Sequence, residues 1–237
     1  MEEEFPLFFC VTGLRGTRRT SVFNELKSQL PGLYPGLKYA FFEDPFEKLV
    51  HPLLWQRDKD PVSRLFSAWA LMNERTCEIT RAINAATPPD VIVIDGFGAN
   101  AVLYATARVP SRCKFKDAEL DRLDDQALTM HHSIVEARVR GQGVKPPEYI
   151  ITCADEPVVT AYLKETLPDL ASQLSDPEWN AFIQHEKHML DRYFAPGSGQ
   201  TCIGKLDAAM SLQAMVDEAM LLIHTRIAVT FGEEIAA

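Results

Sequence analysis

Four β-branched residues in succession, Val91-Ile92-Val93-Ile94, closed by Asp95, constrain the fold of this chain more than any other feature. A strand with one wet face alternates apolar and polar residues, whereas a continuous apolar run requires cover on both faces. Sheets covered on both sides are built from parallel strands joined by crossover helices. The rest of the chain has matching punctuation. Apolar runs at Phe5–Thr12, Leu37–Phe42, Tyr149–Cys153 and Thr201–Ile203 read as further strands. Helical periodicity is expected over Arg19–Leu30, Asp60–Ala85, Ala99–Arg108, Asp117–Arg140, Glu156–Leu163, Pro177–Tyr193 and Ala208–Ile227. The predicted fold class is α/β, a parallel β-sheet flanked by helices. The Pro/Gly-rich segments are spaced like loops, so one domain over 1–237 is predicted.

The first strand empties into Gly13-Leu14-Arg15-Gly16-Thr17-Arg18-Arg19-Thr20-Ser21. A phosphate-binding loop of the form G-x-x-x-x-G-K-[ST] uses backbone amides and a Lys for phosphate and a hydroxyl for Mg²⁺. Gly13 and Thr20 hold the register, while Arg18 stands at the second Gly and Arg19 at the Lys. Arg retains the charge of Lys but not its compact ammonium. Arg18 replaces a residue chosen for backbone freedom and close approach. The loop therefore reads as a basic anion site made by Gly13, Arg15, Gly16, Arg18, Arg19, Thr20 and Ser21. The alternative is a strand-turn-helix corner whose arginines are solvated.

Composition sets limits on partners. A net charge of −9 and a pI near 5.2 argue against a broad nucleic-acid footprint, which needs a basic face. The five cysteines form no CxxC pair, and Cys10 and Cys153 fall inside apolar runs, as expected of a reducing compartment. The acidic start, Met1-Glu2-Glu3-Glu4, is unlike a signal or transit peptide. No apolar run approaches the roughly 20 residues that cross a bilayer. A cytoplasmic location without membrane association is expected.

Taken in order, several segments resemble the thymidylate kinase family, with deoxynucleoside kinases as near relatives. They are the loop above; Glu43-Asp44-Pro45, similar to R-E-P; and Asp95-Gly96-Phe97 through Tyr104, similar to D-R-Y-x-x-S-x-x-A-Y. Asp155-Glu156-Pro157-Val158-Val159 and Leu206-Asp207-Ala208 resemble the family's segments after strands four and five. The resemblance implies a P-loop nucleotide-kinase fold, a homodimer, and ATP- and Mg²⁺-dependent phosphorylation of a (deoxy)nucleoside monophosphate. It implies Asp95 and Arg19 as catalytic residues, and Thr20 and Asp95 as metal ligands. It also implies Asp44, Phe66, Arg75, Asn100 and Tyr104 as substrate-binding residues.

The departures fall on chemistry. The loop lacks its second Gly and its Lys, Glu43 replaces the R-E-P arginine, and Gly96 replaces the D-R-Y arginine. From Ala154 to Asp191, where the family's lid carries arginines, the only basic side chains other than histidine are Lys164 and Lys187. Phosphoryl transfer depends on positioning and on neutralising charge. The expected protein is a catalytically impaired or inactive homologue that keeps a nucleotide- or phosphate-binding cleft and acts by binding, with room for a protein partner. The alternative is a divergent kinase using Arg18 and Arg19 in place of the Lys.

Bland readings stand beside several of these residues. Asp95 at a strand's end is also a routine turn former, Arg75 could pair along its helix, and Tyr104 could pack in the core. His185-Glu186-Lys187-His188 reads as a solvated helix face, because its histidines lack the H-E-x-x-H spacing. The adjacent His131 and His132 receive no role.

Overall fold

The computed structural model describes residues 6–45, 61–109, 115–141, 146–166 and 174–232. Asp60, Cys113 and the side chains of Arg138 and Arg140 lie outside the described residues. Five strands, β1 (Leu7–Gly13), β2 (Tyr39–Phe42), β3 (Val91–Asp95), β4 (Glu148–Cys153) and β5 (Thr201–Asp207), form one sheet in the order β2-β3-β1-β4-β5. Every pairing is parallel. Seven described helices accompany them: α1 (Arg19–Leu33), α2 (Pro61–Ile83), α3 (Gly98–Thr106), α4 (Asp117–Gly141), α5 (Glu156–Thr166), α6 (Asp176–Tyr193) and α7 (Leu212–Phe231).

The continuous apolar strands are explained by two cores. Phe8, Cys10, Ile92, Ile94, Tyr149 and Ile151 face α2, α3, α4 and α6. Their neighbours Phe9, Val11, Val91, Val93 and Ile150 face α1 and α7. Alternation is present, but both faces are dry, so it does not show as polarity. The connections leaving β1 and β3 run over opposite faces. A crevice therefore opens between the carboxyl ends of these adjacent strands, the usual ligand position in such sheets.

Several boundaries differ from expectation. α1 continues past Leu30 to Leu33 with Pro31 inside it, and β5 runs on to Asp207. α7 begins at Leu212, not Ala208, because Ser211 caps it by accepting a hydrogen bond from the Ala214 amide at 3.2 Å.

Candidate functional site

β1 delivers the chain to a turn that only glycine can start. Gly13 has φ 150°, and a Cβ there would lie 2.1 Å from the Thr152 carbonyl oxygen. Thr17 closes the turn, donating to the Leu14 carbonyl at 2.5 Å and sharing a hydrogen bond with Thr152 at 2.6 Å. Gly16 faces Leu163 and Tyr162 of α5. Arg18 adopts the left-handed conformation (φ 58°, ψ 20°) that glycine would take freely, and its guanidinium donates to the Met210 carbonyl at 3.2 Å. α1 then starts at Arg19 with no side-chain cap and no carboxylate in its first turn, which also carries Thr20 and Ser21. Such a terminus leaves amide donors for an anion.

The loop's arginines do not form the open basic patch that their sequence suggests. Arg19 lies between two carboxylates, its Nη2 2.6 Å from Asp44 Oδ2 and its Nε 2.6 Å from Asp95 Oδ1. These side chains are deeply placed, at 12% exposure for Arg19, 2% for Asp44 and 1% for Asp95. Thr20 Oγ1 donates to the other Asp95 oxygen at 2.8 Å. Asn100, in the first turn of α3, donates to Asp44 Oδ2 at 2.9 Å and accepts from Thr12 Oγ1 at 2.7 Å. One network thus joins β1, the start of α1, and the carboxyl ends of β2 and β3.

Arg15 is engaged by the opposite wall. Its Nε lies 2.9 Å from Glu186 Oε1, its Nη2 donates to the Leu103 carbonyl at 3.5 Å, and its guanidinium sits 5.6 Å from the Phe182 ring centroid. Burial pushes the Glu186 carboxyl upward, an effect opposed by Arg15, and pushes the Arg15 guanidinium downward. The solvated-face expectation for 185–188 therefore holds only for Lys187 and His188, which are exposed. Glu186 is buried because it continues the stripe Trp179, Phe182, Ile183, Met189, Leu190 and Tyr193. That spacing was the available signal for it. His185, next to it, donates to the Thr106 carbonyl at 3.0 Å.

The remaining candidates divide. Arg75 donates to the Glu43 carbonyl at 2.5 Å, pairs with Glu78 at 2.7 Å and lies 5.5 Å from the Phe42 ring centroid, tying α2 to the end of β2. Tyr104 is 3% exposed within the core, and burial raises its phenol. Phe66 is 59% exposed on α2 and belongs to neither core. Sequence reasoning missed a narrow, largely apolar cleft between α2, α3 and α4, lined by Leu65, Trp69, Met72, Ala101, Ala105 and His131 among others. Arg108, just beyond α3, is held by both oxygens of Asp124 at 2.5 and 2.7 Å.

The donor set expected for Mg²⁺ does not fit a metal as it stands. Thr20 and Asp95 are bonded to each other, and the second Asp95 oxygen faces Arg19. Among the described residues, no group of three or more His, Cys, Asp or Glu side chains could hold a metal ion. The first turn of α1, with no side-chain cap and no carboxylate, has amide donors of the kind that hold phosphate.

No family model and no curated protein matches the chain in sequence. Solved structures do resemble it. The deoxyadenosine kinase of M. mycoides, solved with dCMP and a flexible dCDP bound, is similar at 12% identity and a TM-score of 0.53. That likeness covers 92% of this chain and 98% of that one. A thymidylate kinase from Ehrlichia chaffeensis is similar at 14% identity and a TM-score of 0.47, with the same coverage. The protein has the P-loop nucleotide-kinase fold, a five-stranded parallel sheet flanked by helices.

Proposed function

We propose that this protein binds a nucleotide or another phosphate-bearing small molecule at the loop 13–20 and acts by binding, with phosphoryl transfer lost or severely reduced. One observation carries the reading. Arg19, which stands at the loop's Lys position, is committed to Asp44 and Asp95 at 2.6 Å each. A guanidinium neutralised by two buried carboxylates offers little net charge to a triphosphate. The uncapped α1 terminus supports phosphate binding. Cytoplasmic residence, a homodimer and a protein partner belong to the same proposal. No described helix is long and apolar enough to cross a membrane. Light scattering tests the dimer.

Titration calorimetry with ADP, ATP and a panel of nucleoside monophosphates tests the binding. Saturable heat for at least one nucleotide, lost on replacing Arg18 and Gly13 together, is expected. No binding across the panel contradicts the proposal.

One arrangement favours a second reading, a divergent ATP-dependent nucleoside monophosphate kinase. Asp44 and Asp95 converge at the strand ends, where a base for an acceptor group belongs. If a bound phosphate drew Arg19 away, both would be released. Steady turnover abolished by Arg19→Ala would establish that reading.

A further inference from the structure

Asp44 and Asp95 are the kind of buried carboxylate pair that hard divalent cations seek, because oxygen ligands of two charges match a doubly charged ion. Here the space between them is taken. The Arg19 guanidinium presents one nitrogen to each carboxylate, at 2.6 Å to Asp44 Oδ2 and 2.6 Å to Asp95 Oδ1. The other Asp95 oxygen is occupied by Thr20 Oγ1 at 2.8 Å, and Asp44 Oδ2 also accepts from Asn100 at 2.9 Å. Regular structure fixes four of the five residues, with Arg19 and Thr20 at the start of α1, Asp95 at the end of β3 and Asn100 in the first turn of α3, while Asp44 follows directly on β2.

We propose that Arg19 is a resident replacement for a divalent cation: its guanidinium bridges Asp44 and Asp95 where a metal would, so the site takes its anionic ligand without metal. The inference rests on the binding reading above. The physical grounds are specific to this side chain. A guanidinium stays protonated in proteins, is planar, and is more weakly hydrated than an ammonium. It can therefore sit at 12% exposure between two nearly dry carboxylates. Mg²⁺ demands near-octahedral oxygen ligands and gives up water reluctantly. To enter, it would have to displace Arg19 and break the Thr20 hydrogen bond. Arginine at the loop's Lys position is then no conservative replacement. Its side chain reaches the two carboxylates and holds there the charge that a metal would bring.

The proposal predicts that removing the guanidinium opens a metal site. Binding of Mn²⁺ to the full chain, without nucleotide, is followed by electron paramagnetic resonance. The wild type should bind Mn²⁺ only weakly, at millimolar concentration or above. Arg19→Ala and the bulkier Arg19→Gln should each bind one Mn²⁺ at least about tenfold more tightly. The gain should vanish in Arg19→Ala/Asp95→Asn. Melting temperature should rise with MnCl₂ for the single variants and stay flat for the wild type. Tight wild-type binding that Asp95→Asn removes would overturn the proposal, and so would variants that fold yet gain no affinity.

Should neither variant fold, the wild type decides it alone, through Mn²⁺ affinity and through ADP affinity with and without Mg²⁺. Equal ADP affinities support the proposal, and tightening of tenfold or more by Mg²⁺ contradicts it. Absence of ADP binding under both conditions counts against the binding reading only, because the Mn²⁺ titration needs no nucleotide.

Discussion

Glu186 on α6 meets Arg15 in the turn after β1 at 2.9 Å, with side-chain exposures of 3% and 15%. This contact pins α6 to the turn after β1 and engages a second arginine of that turn. Taking both charges out of water is costly, and each is tolerable only because the other is present. Glu186→Ala should lower stability by roughly 2–4 kcal/mol, somewhat less than a fully dry pair because Arg15 is partly wet. Arg15→Met/Glu186→Leu should recover most of that loss. Urea unfolding of the three proteins checks this, and a Glu186→Ala variant as stable as the wild type would refute the pairing.

Acid should destabilise the protein through two histidines. Burial pushes His131 down to about 3, helped by His132, and pushes His185 down to about 4, helped by Arg108 and opposed by Asp124. The unfolded chain takes up these protons near pH 6.5, while the folded protein refuses them. Their contribution is therefore complete above about pH 6.5 and is lost as pH falls towards the folded values, at about 1.4 kcal/mol per pH unit per histidine. The stability lost by His185→Gln between pH 7 and 5 should be smaller than the wild-type loss by about 2 kcal/mol. Urea midpoints at the two pH values measure it. Parallel losses would mean that His185 takes up its proton as readily folded as unfolded.

Arg18 carries the backbone strain of the loop. A non-glycine residue in the left-handed region costs on the order of 1 kcal/mol, and a β-branched one costs more. Arg18→Gly should be at least as stable as the wild type despite losing the hydrogen bond to Met210. Arg18→Val should be less stable by roughly 1–2 kcal/mol. Thermal melts of the three proteins suffice, and a Val variant as stable as the Gly variant would exclude strain at this position.

The architecture was legible in the sequence because the signals were local. The Val91–Ile94 run announced a strand covered twice, and Gly13 after the first apolar run announced the turn into a helix. The limits of α7 were missed because a single cap, Ser211, outweighed the helical character of Ala208 and Ala209. The candidate site was legible in membership but not in wiring. Arg19, Asp44, Asp95, Thr20 and Asn100 were all named, and the fold brings them together. That Arg19 would turn to carboxylates depends on how far β2 and β3 project, a distance set by register and not by any motif. Glu186 was overlooked because a charged tetrapeptide reads as solvated unless the apolar stripe around it is counted. Phe66 was placed at the site by resemblance alone, and it lies exposed outside the core.

The central claim is that a tied Arg19 leaves the cleft without the charge needed for phosphoryl transfer. A well-placed donor or cation is worth on the order of 10²–10³ in rate, and an arginine finger 10³–10⁵. Losses at the loop, at Gly96 and on the lid side compound, though not additively. A coupled assay of ATP-dependent phosphorylation over dTMP, dUMP and the other nucleoside monophosphates, with Mg²⁺, tests it most directly. The account predicts turnover far below the 1–100 per second typical of kinases, or none. Turnover near about one per second on any acceptor, abolished by Arg19→Ala, would contradict it.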